Sequence, residues 1–170
     1  MIIKGKNINL RPIELSDASR FIKWSRDPEV AKLVGNGHLL LKDEIVWIRN
    51  LSKKKERNLH FAIETKGHIH IGGVGFHDLN KRDKYAVFGI NIGDKKYWNR
   101  GYGTEATKMI IDYGFKKLKF HRIELEVYDF NLRAIKVYKR LGFKFEGRKR
   151  ERVFYKGKFY DSFVMGILND

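Results

Sequence analysis

The chain has 170 residues, 42% of them hydrophobic and 14% aromatic, which is enough apolar material for one packed core and predicts a single domain over 1–170. It contains no cysteine, which excludes a disulfide framework and a cysteine-ligated metal site. Lys and Arg outnumber Asp and Glu by 36 to 20, and the net charge of +16 favours polyanions as partners: nucleic acid, acidic proteins or a phosphorylated ligand. The start, Met1-Ile2-Ile3-Lys4-Gly5-Lys6, lacks the apolar core of a secretion signal, and no apolar run approaches the roughly 20 residues of a membrane span. A cytoplasmic protein without a membrane partner is expected.

In chain order, Ile8 to Arg11 alternates apolar and polar and reads as a strand ended by Pro12. Ser16 is placed to cap a helix carrying Phe21, Ile22 and Trp24. A second helix is predicted over about 42–55, with Ile45, Ile48 and Leu51 on one face. Leu59 to Glu64 and Ile69 to Phe76 read as paired strands about a Lys66-Gly67 turn, and Tyr85 to Ile92 as another strand. Helical spacing returns over 101–117, with Ala106, Met109, Ile110 and Tyr113 on one face. Arg122 to Tyr128 alternates like a half-buried strand, and Asn131 to Leu141 reads as a helix closed by Gly142. Two final strands, about 143–155 and 159–168, flank a Lys156-Gly157-Lys158 turn. This order predicts an α/β (α+β) fold: a mixed, mostly antiparallel twisted sheet of about seven strands flanked by about four helices.

The segment Trp98-Asn99-Arg100-Gly101-Tyr102-Gly103 leads into the third predicted helix. Backbone N–H groups at a helix start lack internal partners, the dipole favours negative charge there, and glycine lets the backbone approach an anion closely. A phosphate cradle is one reading; a turn that merely needs glycine is the other. Gly101 to Ala106 also fits a Gly-x-Gly-x-x-Ala dinucleotide fingerprint, with Glu124 and Glu126 downstream. Against that, Gly93-Asp94-Lys95-Lys96-Tyr97-Trp98 stands between the strand end and the glycines, and the chain has no room for a second nucleotide-binding half. No Gly-x-x-x-x-Gly-Lys-Ser/Thr occurs.

Trp98-x-x-Gly101-x-Gly103 is similar to the Gln/Arg-x-x-Gly-x-Gly/Ala motif of the GNAT superfamily of N-acetyltransferases. Asn131-Leu132-Arg133-Ala134-Ile135-Lys136-Val137-Tyr138, running on to Gly142-Phe143, resembles that superfamily's Asn-x-x-Ala-x-x-x-Tyr-x-x-x-Gly-Phe segment. Gly157 to Ser162 resembles the last hairpin of Rim-type ribosomal-protein acetyltransferases and spermidine acetyltransferases. The departure is Trp98, where the Rim-like branch commonly has an aromatic residue.

The resemblance implies acetyl-CoA as co-substrate, direct attack by an amine, and no metal. It implies that Ile90, Asn91 and Ile92 pair with pantetheine like an added strand. It places the pyrophosphate on the backbone of Asn99, Arg100, Gly101, Tyr102, Gly103 and Thr104, with Trp98 packing beside them, and adds Asn131, Ala134 and Tyr138 to the cofactor contacts. Tyr138 matches the general acid, since a phenol with a reference pKa of about 10 is protonated at neutral pH. Glu126 is the candidate base, acting through a water, with Glu124 on the same strand face as the fallback. A packing role for Tyr138, an ion pair for Glu126 and a helix cap for Asn131 are the structural alternatives.

His68 and His70, two apart on one predicted strand face, have no third ligand nearby in sequence and read as structural. Arg148-Lys149-Arg150-Glu151-Arg152 reads as a solvated strand edge or a holder of acidic protein or ribosomal RNA. For the acceptor, the +16 field argues for a protein N-terminus, such as that of a ribosomal component, or an aminosugar nucleotide, and against polycations unless the pocket itself is acidic. A polyamine or aminosugar acceptor is the alternative. A non-catalytic acyl-CoA-binding module or a nucleic-acid-binding module is the alternative of another class, although nucleic acid is not required by any motif. A homodimer is allowed.

Overall fold

The computed structural model describes residues 1–35, 40–51 and 57–169. Its strands are β1 (Ile3–Lys4), β2 (Ile8–Pro12), β3 (Leu59–Thr65), β4 (His70–Asn80), β5 (Tyr85–Ile92), β6 (Arg122–Tyr128), β7 (Lys144–Tyr155) and β8 (Lys158–Leu168). Its helices are α1 (Ala18–Ser25), α2 (Pro28–Val34), α3 (Leu41–Leu51), α4 (Tyr102–Lys116) and α5 (Leu132–Arg140). All eight strands form one sheet in the order β1-β2-β3-β4-β5-β6-β8-β7. Every neighbouring pair is antiparallel except β5 and β6, which run parallel. A parallel pair needs a crossover, and α4 supplies it.

The predicted α/β architecture holds, with one more strand and one more helix than expected. The extra strand is β1, whose two residues pair with Leu10 and Asn9. The extra helix is α2, and its start is local chemistry: the Asp27 side chain accepts from the amides of Glu29 and Val30, and Pro28 stands at the first helical position. Ser16 does not cap α1. It lies inside a 3-10 turn, Leu15–Asp17, braced by a reciprocal capping box between Glu14 and Asp17. The second predicted helix is α3, which ends at Leu51; residues 52–55 of that prediction lie outside the described residues. The last hairpin turns on Lys156 and Gly157, both left-handed at φ 47° and 77°, the two-residue geometry that matches strand twist.

Alternation along the strands sorts the two faces. Phe76 and its cross-strand partner Phe88 point to the face covered by α4 and α5. Ile123, Leu125 and Val127 of β6 are buried in the same core, with Ile110 of α4 and Ile135 of α5. On the opposite face, Gly73 lies beneath Phe21 of α1, and α1 packs against α3. That face is tied down by a buried polar cluster. Arg11 donates two hydrogen bonds of 2.8 Å to Asp17 and one of 2.7 Å to Glu64. His70 Nδ1 stands 3.0 Å from Asp17 Oδ1. Among the described residues, no helix is long and apolar enough to cross a membrane.

Candidate active site

The site is built on a gap in the sheet. β5 and β6 pair only at Tyr85–Arg122, Ala86–Ile123 and Val87–Glu124. Beyond that point they splay, and Phe88 to Ile92 run on without a partner on that side. Gly93 N–H donates to the Ile71 carbonyl, so ladder alternation turns the Asn91 backbone toward β4 and the Ile90 and Ile92 backbones toward the gap. The Ile92 carbonyl is already taken, because the Trp98 indole donates to it at 2.7 Å. Ile90, flanked by the Ile92 amide, therefore offers the open strand edge that an amide-bearing ligand can extend.

Two cavities meet at this gap. One, about 940 Å³, lies on the α4 and α5 side and is lined by Ile90 to Ile92, Trp98, Asn99, Gly101, Gly103, Thr104, Asn131, Ala134 and Tyr138. The other, about 1330 Å³, lies on the α1 and α3 side and is lined by Trp47, His60, Gly89, Glu124, Glu126 and, again, Asn131 and Tyr138. Tyr138 thus stands where the two cavities join.

The glycine loop has the shape that anion binding needs. Asn99 and Gly101 are both left-handed, at φ 59° and 82°. Gly101 is the N-cap of α4, and no side chain caps it, so the first amides of α4 are left for a ligand. Glu105, the acidic residue of that first turn, accepts from the Asn7 amide and side chain. Of the loop residues named from sequence, Arg100 is exposed beside the groove, and Tyr102 packs its ring edge-on against Tyr97. An extended phosphorylated thioester fits this combination of open strand edge and uncapped helix start.

Tyr138 is buried between Phe88 and Phe143, with 8% of its surface exposed. Burial pushes its phenol well above the ordinary value, so it is protonated at neutral pH. Its hydroxyl has no hydrogen-bond partner among the described residues. Asn131 caps α5, its Oδ1 accepting from the Ala134 amide at 3.3 Å, a contact worth about 1 kcal/mol. The Asn131 side-chain amide group remains available to the cavities.

Glu126 and Glu124 share the face of β6 that meets the larger cavity. Glu126 accepts from Ser162 Oγ and from Lys149 Nζ, both at 2.6 Å. Burial raises its carboxyl, but those two hydrogen bonds and the Lys149 and Arg152 charges outweigh burial and hold it below the ordinary carboxylate range. Glu124 is engaged by Arg122, which also binds Glu146. The ion pair considered from sequence is therefore present at Glu126. Ser162, fully buried on β8, lay inside the Gly157–Ser162 segment, but its contact with Glu126 had no local signal.

One other expectation is corrected. His68 and His70 do not share a strand face: β4 begins at His70, and His68 sits in the turn with φ 59°, paired with Glu64. No group of three or more metal-ligating side chains occurs among the described residues. The basic run lies exposed on β7, the sheet edge, as expected, and it also makes ion pairs: Arg148 pairs with Asp161, and Lys149 and Arg152 point to Glu126. A left-handed Glu151 at a register shift produces this arrangement, which periodicity does not reveal. Two further cavity residues escaped the sequence reading, Glu44 and Trp47, because a helix face alone does not tell core from cavity.

Residues 7–144 match the family model described as an acetyltransferase (GNAT) domain. The chain is 30% identical over 167 residues to p20 of Bacillus licheniformis, named an uncharacterised N-acetyltransferase, covering 96% of this chain and 93% of that one. It is 29% identical over 171 residues to the spermidine N(1)-acetyltransferase of Escherichia coli, covering 95% and 86%. Among solved structures, a spermidine N-acetyltransferase from Vibrio cholerae in complex with CoA and spermine superposes with a TM-score of 0.87 at 24% identity, over 96% of both chains. The chain belongs to the GNAT family: it is an N-acetyltransferase that takes its acetyl group from acetyl-CoA.

Proposed function

We propose that the acceptor is a small-molecule amine carrying more than one positive charge, acetylated by direct attack. The observation that carries this reading is Glu44. It lies on α3 with 8% of its surface exposed, lines the larger cavity, and has no hydrogen-bond or ion-pair partner among the described residues. Burial pushes its carboxyl above the ordinary carboxylate value, and a cation seated beside it would favour the charged form again. Trp47 and His60 pack edge to face beside it, and His60 is pushed down to about 4, first by burial and then by His77, so it adds no competing charge.

The surrounding charge agrees. Asp43, Glu44, Asp78, Glu124 and Glu126 line this cavity, against Lys32, Lys149 and Arg152. Acids thus predominate here, in a chain where bases predominate 36 to 20. That local inversion removes the objection that a +16 protein would repel a cationic substrate. The similarity to a spermidine N(1)-acetyltransferase supports the same class.

Acetyl-CoA supplies an activated thioester carbonyl. The amine nitrogen forms the new C–N bond as the C–S bond breaks. Tyr138, at the junction of the cavities, donates its proton to the departing sulfur. Glu126 receives the ammonium proton through a water, and Glu124 stands beside it on the same face. The test is CoA release across polyamines, aminosugars and N-terminal peptides. Multiply charged small amines should be preferred, and Glu44→Gln should raise KM for them about tenfold while sparing a monoamine, as expected for loss of one charged contact. Equal effects on both, or preference for peptides, would overturn the reading.

A further inference from the structure

Arg133 is the second residue of α5, inside the first turn of that helix. That position is electrostatically wrong for a cation, because a helix start carries partial positive charge. No acidic residue occupies the same turn to offset it. No carboxylate lies within ion-pair distance of Arg133 among the described residues, and its partial burial lowers the pKa of the guanidinium. An arginine at a positive helix end, with no carboxylate partner among the described residues, is a site that lacks its anion.

The side chain is held in place. Its guanidinium lies 4.2 Å above the centre of the Trp98 ring, and Nη1 is 3.5 Å from Asn99 Oδ1. Stacking on the tryptophan face fixes the plane of the guanidinium fork. The indole is fixed in turn by its hydrogen bond to the Ile92 carbonyl. Arg133 therefore lines the same groove as Gly101, Gly103 and Thr104, opposite the uncapped start of α4.

We propose that Arg133, carried on the face of Trp98, is the side-chain cation that binds a phosphate group of acetyl-CoA. Trp98 contributes no charge of its own; it is the platform that turns an α5 side chain toward the phosphate loop. The bond is a bidentate guanidinium–phosphate contact, which lysine cannot reproduce in full.

The proposal is tested by calorimetric affinity for CoA, 3′-dephospho-CoA and pantetheine, using the wild type, Arg133→Ala, Arg133→Lys and Trp98→Leu. Arg133→Ala should weaken CoA binding about tenfold or more and leave pantetheine unchanged. Arg133→Lys should fall between the two, and Trp98→Leu should add little once Arg133 is gone, because the two act as one unit. If the loss persists with 3′-dephospho-CoA the contact is with the pyrophosphate; if it disappears the contact is with the 3′-phosphate, and both outcomes support the proposal. Wild-type CoA affinity in Arg133→Ala, or an equal loss for pantetheine, would overturn it. These are binding measurements on the donor alone, so they succeed or fail independently of the acceptor.

Discussion

Lys149 on β7 reaches over β8 to place its Nζ 2.6 Å from Glu126 Oε2 on β6. Ser162, on the intervening strand, donates to the other carboxylate oxygen. The β7–β8 hairpin therefore holds a group that faces the larger cavity, on strands remote in sequence from the glycine loop.

This pairing has a measurable consequence. Glu126 is held below the ordinary carboxylate value of about 4.3, so in the wild type its protonation should not limit the rate until the pH falls below that value. Lys149→Met removes the strongest opposing hydrogen bond, the carboxyl pKa rises, and the acid limb of the kcat profile should move to higher pH. In Glu126→Gln that limb should vanish, with kcat reduced. A limb that stays put in both variants rejects Glu126 as the proton acceptor.

Tyr138→Phe keeps the ring that packs on Phe88 and Phe143 and removes only the hydroxyl at the cavity junction. Loss of a general acid typically costs about 10²–10⁴ in rate. The expected result is a kcat lowered by that order at neutral pH, with little change in KM for acetyl-CoA. An unchanged kcat would leave Tyr138 a packing residue.

Gly101 lies at φ 82°, and a Cβ added there would meet nothing within 4 Å. The effect of Gly101→Ala is therefore conformational, about 1–2 kcal/mol for a left-handed alanine. Part of that strain should be relieved by rotating the loop amides. Calorimetry should show weaker CoA binding, with a thermal midpoint lowered by a few degrees. Full affinity in this variant would mean that the loop geometry is not what holds the phosphates.

The Arg11–Asp17–His70 cluster predicts acid sensitivity of the fold. Burial raises the Asp17 carboxyl, but the Arg11 and His70 contacts and the Glu14 amide overcome it and hold Asp17 well below its ordinary value. A depressed folded pKa contributes stability that is fully present above the unfolded value, about 3.9, and is lost as pH falls toward the folded one. Urea midpoints should therefore drop below about pH 4 in the wild type. In Asp17→Asn the midpoint should be lower at neutral pH and flatter through the acid range. A wild-type slope in that variant would show that other groups govern the acid limb.

Much of this was legible in the chain. The span of β5 agrees with its aromatic and β-branched residues, that of β6 with alternation, and α4 and α5 with helical spacing and with Gly101, Asn131 and Gly142 at their ends. The order of the Trp98–Gly103 and Asn131–Phe143 segments pointed to the family before any contact was known. These features are readable because they are local: capping, periodicity and backbone freedom act within a few residues. What only the tertiary structure decided depends on chain segments far apart. The splay after Val87 and Glu124, the meeting of two cavities at Tyr138, the Lys149–Glu126 pair and the seat of Arg133 on Trp98 each join elements distant in sequence. The net charge of +16 is a sum over the whole chain, while the acidity of the larger cavity is set by which few side chains the fold turns inward.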